Sequence, residues 1–264
     1  MIWMVNEMNK NESEIIVKNK LFLKLLGTIS RFINFNVSIR IGNERFLLKL
    51  PEIMHIWEIY FLDIYGIRKL VNKNTIVIDV GAHKGVYAIP TSKRSMLVFC
   101  FEPIAENIRY LNFNIKSNRC ENIEIIPFAL WKTSGYVKIK KTAMSGSSHI
   151  VDSCGENDDL CINVKSMTLD DFTKTIQSRF GVDNFDIVVK IDTEGSEYEI
   201  LKGSKKFIEE FRPTFVIEVH SKKSYENMIK FFSKYGYTLK PKTYVIKIFG
   251  TEVMYATILY AFPS

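Results

Sequence analysis

TIVIDVGAHKGVYAIP, residues 75–90, is an apolar run that stops abruptly in a glycine-bearing turn. Ile76, Val77, Ile78 and Val80 form a near-continuous hydrophobic segment, the pattern of a parallel strand covered on both faces. Asp79 interrupts it just before Gly81. Gly81 can take a positive φ or let a ligand approach the backbone, and Gly85 lets the next helix start close to the strand. The spacing Asp-x-Gly-x-x-x-Gly separates nucleotide folds. A dinucleotide loop needs glycine where His83 stands, because a side chain there crowds a pyrophosphate, and a P-loop needs Gly-Lys followed by Ser or Thr, whereas Lys84-Gly85 runs the other way.

What remains is a loop for a nucleoside ligand without phosphates, of which S-adenosylmethionine is the commonest; the alternative is a plain structural turn. On the first reading Asp79, Gly81, Ala82, His83 and Gly85 are the cofactor contacts. Residues 97–103, LVFCFEP, form a second apolar strand ending in Glu102, roughly 20 positions after the glycine loop, where a carboxylate can accept both ribose hydroxyls. Pro103 then opens a helix with Ile104, Ile108, Leu111 and Ile115 on one face. Strand, loop, helix, strand, acid, helix is one right-handed βαβ unit.

With VIDVGAHKG at 77–85, FEP at 101–103, FAL at 128–130 and, most specifically, VKIDTEGSEYEILKG at 189–203, the sequence resembles the FkbM-type S-adenosylmethionine-dependent methyltransferases. The resemblance covers about residues 75–220. It implies an α/β fold: the class I methyltransferase Rossmann-like sheet of seven strands, mostly parallel with the last antiparallel, flanked by helices. It also implies S-adenosylmethionine as cofactor, Pro103 and Ala129 beside the nucleoside, and an oxygen acceptor, typically a hydroxyl of a sugar, glycan or secondary metabolite. Pro90 departs from an uninterrupted first helix, so that helix is expected to be short or kinked.

The 264 residues divide into a mainly helical N-terminal extension, residues 1–72, and a methyltransferase domain, residues 73–264. Residues 15–35 read as a basic amphipathic helix that either docks on the domain or lies on an anionic membrane. Residues 51–70 read as one aromatic-rich helix. Cys100, Cys120, Cys154 and Cys161 lack metal-site spacing, which predicts a reduced, cytoplasmic chain without structural zinc. A net charge of +7 suggests anionic partners, yet the basic residues are scattered and no aromatic platform interleaves them, so nucleic acid is not the expected partner.

Residues 123–130 read as a third strand, 142–157 as a polar loop of the kind that forms lids, with His149 a possible substrate contact, and 186–191 as a fourth core strand delivering Asp192, Glu194 and Glu197. Ser196 and Glu199 have capping-box spacing. Residues 213–220 form a fifth strand carrying Glu218 and ending at His220. An acid within an apolar strand is costly unless it is paired or directed into a site. Methylation of an alcohol needs a group to take the hydroxyl proton. Asp192, Glu194, Glu218 and His220 are the candidates, with Asp192 also near the cofactor. Asp192 and Glu218 could alternatively hold a divalent cation that acidifies the hydroxyl; the spacing does not decide this. An RNA methyltransferase and a non-catalytic interaction module are the rival readings. Asp192-Thr193-Glu194-Gly195 replaces the Asp/Asn-Pro-Pro-aromatic turn of base methylation, and its acids repel phosphate.

Overall fold

A computed structural model of the chain describes residues 13–16, 36–49, 52–142, 148–155, 158–248 and 251–264. In chain order, β1 (Ser13–Ile16) is followed by a hairpin of β2 (Asn36–Ile41) and β3 (Glu44–Lys49). The short helix α1 (Ile53–Ile56) runs into one π turn, Trp57–Phe61, and α2 (Ile67–Leu70) follows. The βαβ core is β4 (Thr75–Val80), α3 (Ala88–Ser92), β5 (Leu97–Phe101), α4 (Ala105–Ser117) and β6 (Ile123–Ile126). The chain then builds β7 (Ala129–Leu130), β8 (Gly135–Lys140), β9 (His149–Val151) and β10 (Cys161–Met167). It returns through α5 (Leu169–Phe180) to β11 (Asp186–Ile191), α6 (Glu197–Lys202), α7 (Lys205–Phe211), β12 (Thr214–Glu218), α8 (Lys222–Ser233), β13 (Tyr237–Ile248) and β14 (Thr251–Pro263).

The main sheet runs β1-β13-β14-β12-β11-β4-β5-β6. Its seven strands from β13 to β6 have the class I methyltransferase order. Pairing is parallel from β6 to β12, and β14 is antiparallel to both β12 and β13. An eighth strand, β1, joins parallel at the β13 edge. β4 is buried along its whole length, as its unbroken apolar pattern requires. Ile76, Ile78 and Val80 pack on one face with Phe99, Phe172, Phe207 and Phe215; Val77 packs on the other with Val98, Val188 and Val216. Fully burying each such side chain stabilises by about 1.5–3 kcal/mol.

Several sequence expectations are corrected. The described part of the extension is not mainly helical, because 36–49 alternates exposed and part-buried residues and pairs as a hairpin. Phe46 and Leu48 of that hairpin join the second core cluster. Residues 51–70 are not one helix: Asp63 takes φ 46° and Gly66 φ 69°, and the Asp63 carboxylate accepts from the N–H groups of Ile67 and Arg68, at 2.7 and 3.1 Å, starting a new turn. The amphipathic reading of 15–35 falls almost wholly outside the described residues; its first two positions belong to β1. Strand 123–130 breaks at Pro127, which has no N–H for the ladder, and Ala129–Leu130 pair in a second sheet of order β7-β10-β8-β9. Within 142–157, His149–Val151 is a strand paired with β8, not loop. Ser196 already has helical φ and ψ and caps nothing. Cys154 and Cys161 are joined as a disulfide with Cα atoms 6.3 Å apart, so the chain is not wholly reduced; Cys100 and Cys120 are free. Pro90 sits in a five-residue helix, the short form expected. Among the described residues no helix is long and apolar enough to cross a membrane.

The hairpin is fastened by side-chain amides of α4. Asn114 and Asn118 accept from the N–H groups of Leu47 and Arg45, at 2.7 and 2.8 Å, and donate back to the same residues' carbonyls. This pairs a strand edge that would otherwise present bare backbone groups. Beside it, the buried Lys84 ammonium donates to both Glu52 oxygens at 2.7 and 2.6 Å. Asn114→Ala should leave buried backbone groups of β3 unpaired and cost about 2 kcal/mol, read as a lower urea midpoint at unchanged slope.

Candidate active site

The C-terminal ends of β4, β5, β11 and β12 open on one cleft. Gly81 (φ +77) is required there, since a Cβ would stand 2.1 Å from the Asp192 carbonyl oxygen. Its N–H and that of Ala82 donate to the Phe101 carbonyl at 3.0 and 3.1 Å. His83 takes φ 50° and its N–H donates to Glu102 Oε2 at 2.9 Å. Such a left-handed non-glycine costs about 1–3 kcal/mol, which the surrounding bonds offset. Burial drives the His83 imidazole down to about 3, so it is neutral.

Glu102 is buried where β5 ends. Its other oxygen accepts from the Ile104 N–H at 2.9 Å and the Asn107 amide at 3.2 Å. Desolvation outweighs these donors and lifts the carboxyl to about 7. Gly81, Ala82, His83, Glu102, Pro103 and Ala129 all border the cleft, as do Asp192, Glu194 and Glu218. Gly85 and Asp79 do not. A Cβ on Gly85 (φ +84) would lie 2.6 Å from Leu111 Cδ1, so this glycine lets α4 close on the loop from behind. Asp79 is fully buried beneath the loop, 3.1 Å from the Lys190 ammonium. Lys190 stands opposite it in register, donates to the Gly81 carbonyl at 3.2 Å and lies 3.7 Å from Asp192. Burial would lower Lys190, but the charges of Asp79 and Asp192 win and hold it above its ordinary value.

The four acid-base candidates converge. His220 Nε2 lies 3.5 Å from Glu194, 3.8 Å from Asp192 and 3.9 Å from Glu218, while its Nδ1 bonds the buried Glu197 carboxylate at 2.8 Å. Burial opposes its charge, yet Glu197 and the other carboxylates push it up to about 10. Both ring nitrogens face carboxylates, which favours the imidazolium over the neutral form in which His220 would take a proton. Asp192 is held below the carboxylate range: burial would raise it, but Lys190 and His220 prevail. Glu218 moves the other way, to about 8, through burial and the charge of Asp192. Glu194 takes φ 54°, and burial raises it too.

Asp192, Glu218 and His220 each bring one potential ligand atom within 4.8 Å of the others. They fit a divalent cation poorly, because the Lys190 ammonium stands 3.7 Å from Asp192 and one oxygen of each carboxylate, Asp192 Oδ2 and Glu218 Oε2, already bonds the Tyr65 hydroxyl. That tyrosine is what sequence reasoning missed. Its hydroxyl lies 2.9 Å from Asp192 Oδ2 and 2.6 Å from Glu218 Oε2, contacts across 127 and 153 residues. His55, Glu58 and Ile59 from the same segment also line the cleft, as do His149 and Ile150 of β9. No local pattern announces Tyr65. Lys190 did leave a signal, a lysine inside an otherwise apolar strand.

Residues 79–239 match the family model described as Methyltransferase FkbM domain. No curated protein sequence matches the chain. Among solved structures it is similar to a methyltransferase FkbM from Methylobacillus flagellatus, at 13% identity and TM-score 0.48, covering 91% of this chain and 58% of that one. It is also similar to TYW2 of M. jannaschii in complex with AdoMet, at 19% identity and TM-score 0.48, covering 88% and 87%. A precorrin-6y C5,15-methyltransferase from Geobacter metallireducens gives 11% identity and TM-score 0.48, covering 77% and 87%.

Lys190→Met should strand the buried Asp79 charge and cost about 3–5 kcal/mol in chemical unfolding. Adding Asp79→Asn should recover part of that loss.

Proposed function

Because the chain belongs to the FkbM methyltransferase family, we propose that it transfers the methyl group of S-adenosylmethionine to a hydroxyl of a sugar, glycan or secondary metabolite. The observation that carries this reading is a single cleft with a ribose-type carboxylate, Glu102, on one strand end and an ionised carboxylate, Asp192, on another. Gly81, Ala82 and His83 give the nucleoside a close backbone surface, and a side chain at position 83 crowds a pyrophosphate. Ala129 adds wall area for the base.

In the reaction a lone pair of the acceptor oxygen attacks the methyl carbon, the carbon–sulfur bond breaks, and its electron pair leaves with sulfur as a neutral thioether. The hydroxyl proton goes to Asp192, which faces the cleft and is ionised at neutral pH. Positioning supplies most of the acceleration. The acceptor is oriented by the extension through His55, Glu58, Ile59 and Tyr65, and by His149 and Ile150 of β9. Asp192, Glu194 and Glu58 give this wall acidic side chains, which disfavour a phosphate backbone despite the net charge of +7.

Calorimetric titration with S-adenosylhomocysteine tests the cofactor half: micromolar binding is expected, and no binding overturns it. Glu102→Gln should weaken that binding by about 1–3 kcal/mol through lost charge-assisted bonds. Ribose hydroxyls donate, so they favour the ionised carboxylate; wild-type affinity should fall as pH drops below about 7 and level off above it, and Glu102→Gln should be flat. For the free protein the sign is reversed: the raised carboxyl stabilises most fully at low pH and loses that contribution as pH rises through about 7. Once a panel of sugar and glycan hydroxyls has yielded an acceptor, Asp192→Asn should lower turnover roughly 10²–10⁴-fold in a folded protein. Full activity would remove Asp192 as base.

A further inference from the structure

The Tyr65 hydroxyl is within hydrogen-bonding distance of two carboxylates, Asp192 Oδ2 at 2.9 Å and Glu218 Oε2 at 2.6 Å. A phenol has one proton and an ionised carboxylate has none. One hydroxyl proton cannot serve both contacts, and the shorter of them, between two oxygens, has the length of a bond involving charge or a shared proton. Leaving either contact as a bare oxygen–oxygen repulsion in a buried site would be costly. The arrangement closes only if one of the carboxyls carries a proton and donates it to the tyrosine oxygen.

The surroundings say which. Asp192 faces the Lys190 ammonium at 3.7 Å and the His220 imidazolium at 3.8 Å, both of which favour its anion. Glu218 faces His220 at 3.9 Å but also the charges of Asp192 and, from the π turn, Glu58. Glu197 at the start of α6 takes up the His220 charge through Nδ1, and Glu194 stands on the far side of the same imidazole. Lys190, His220 and, from α1, His55 all favour the Asp192 anion; Glu218, which also feels Lys190 and His220, lies closer to the opposing carboxylates of Asp192 and Glu58.

We propose, building on the methyltransferase reading of this site, that Glu218 is a carboxylic acid at neutral pH, donating to the Tyr65 oxygen while Tyr65 donates to Asp192. Tyr65 is then a positioning residue supplied by the N-terminal segment. Its single proton is aimed at Oδ2 of Asp192, so it holds that carboxylate ionised and leaves Oδ1 for the acceptor hydroxyl, and it keeps Glu218 out of the role of base. Of the paired acids expected from sequence, one is the base and the other stores a proton. Burial and the neighbouring Asp192 charge raise Glu218, while Lys190 and His220 depress Asp192, in the same direction.

The test needs neither acceptor nor cofactor. Difference infrared spectra of the full chain at neutral pH, wild type against Glu218→Gln, should contain the C=O stretch of a protonated carboxyl that the variant lacks; the subtraction removes any contribution from Glu102. Tyr65→Phe should keep that band but move it to higher frequency, because the carboxyl loses its acceptor, a change that a merely structural tyrosine would not cause. Circular dichroism confirms that each variant is folded. Absence of the band from the wild-type minus Glu218→Gln difference overturns the proposal, as does its loss in Asp192→Asn with retention in Glu218→Gln. Failure to bind S-adenosylhomocysteine with the band intact would instead overturn the methyltransferase reading and leave the proton assignment standing. With an acceptor in hand, Tyr65→Phe should move the acid limb of the kcat profile to higher pH, since Asp192 loses a donor to its anion.

Discussion

The buried ion pair between Asp79 and Lys190 is the constraint on which the site depends. The two residues are partners in adjacent parallel strands, one step before the sheet's carboxyl edge. Taken from water alone, either charge would be prohibitive; paired, they stitch β4 to β11 at the point where both strands release their loops. Lys190 also bonds the Gly81 carbonyl and stands beside Asp192, so one ammonium fixes the glycine loop and favours the anion of the acid at the end of β11. Gly81 must be a glycine for the same reason, because the chain leaving β11 comes within contact distance of it.

A second layer of control comes from outside the sheet. The segment before β4 is broken by the Asp63–Gly66 turn, and that break turns Tyr65 inward over the carboxyl ends of β11 and β12. Asn114, Asn118 and Lys84 fasten the preceding hairpin and Glu52 to the βαβ core, so the extension is held in register with the cleft rather than draped on it. The Tyr65 side of the cleft therefore answers to a region with no recognisable motif, while the Gly81 and Glu102 side belongs to the motif-bearing strands.

Much of this was legible beforehand. Gly81, Ala82, His83 and Glu102 read as neighbours at two strand ends, and they do border one cleft, while Asp79 and Gly85 of the same motif lie behind it. Those are local relations: a strand, its turn and the next strand end are set by short-range periodicity and backbone sterics. Two of the errors are of one kind. Ser196 and Glu199 have the spacing of a capping box, but Glu199 pairs instead with Lys132 and Lys202. His149–Val151 lies in a stretch whose composition reads as loop, yet pairing with β8 makes it strand. In both places tertiary partners outweigh a weak local preference.

By itself the sequence determined the fold class, the strand that carries the cofactor loop, and the set of acids at the sheet edge, because buried parallel strands need unbroken apolar runs and the residues that interrupt them must have a purpose. Only the tertiary structure decided how those acids differ. Asp192, Glu218 and His220 look alike as candidate bases along the chain; their protonation depends on Lys190 two residues away on a pleated strand, on Glu197 across a turn, and on Tyr65 more than a hundred residues earlier. Charge in a low-dielectric site is set by distance in space, and distance in space is what a sequence does not print.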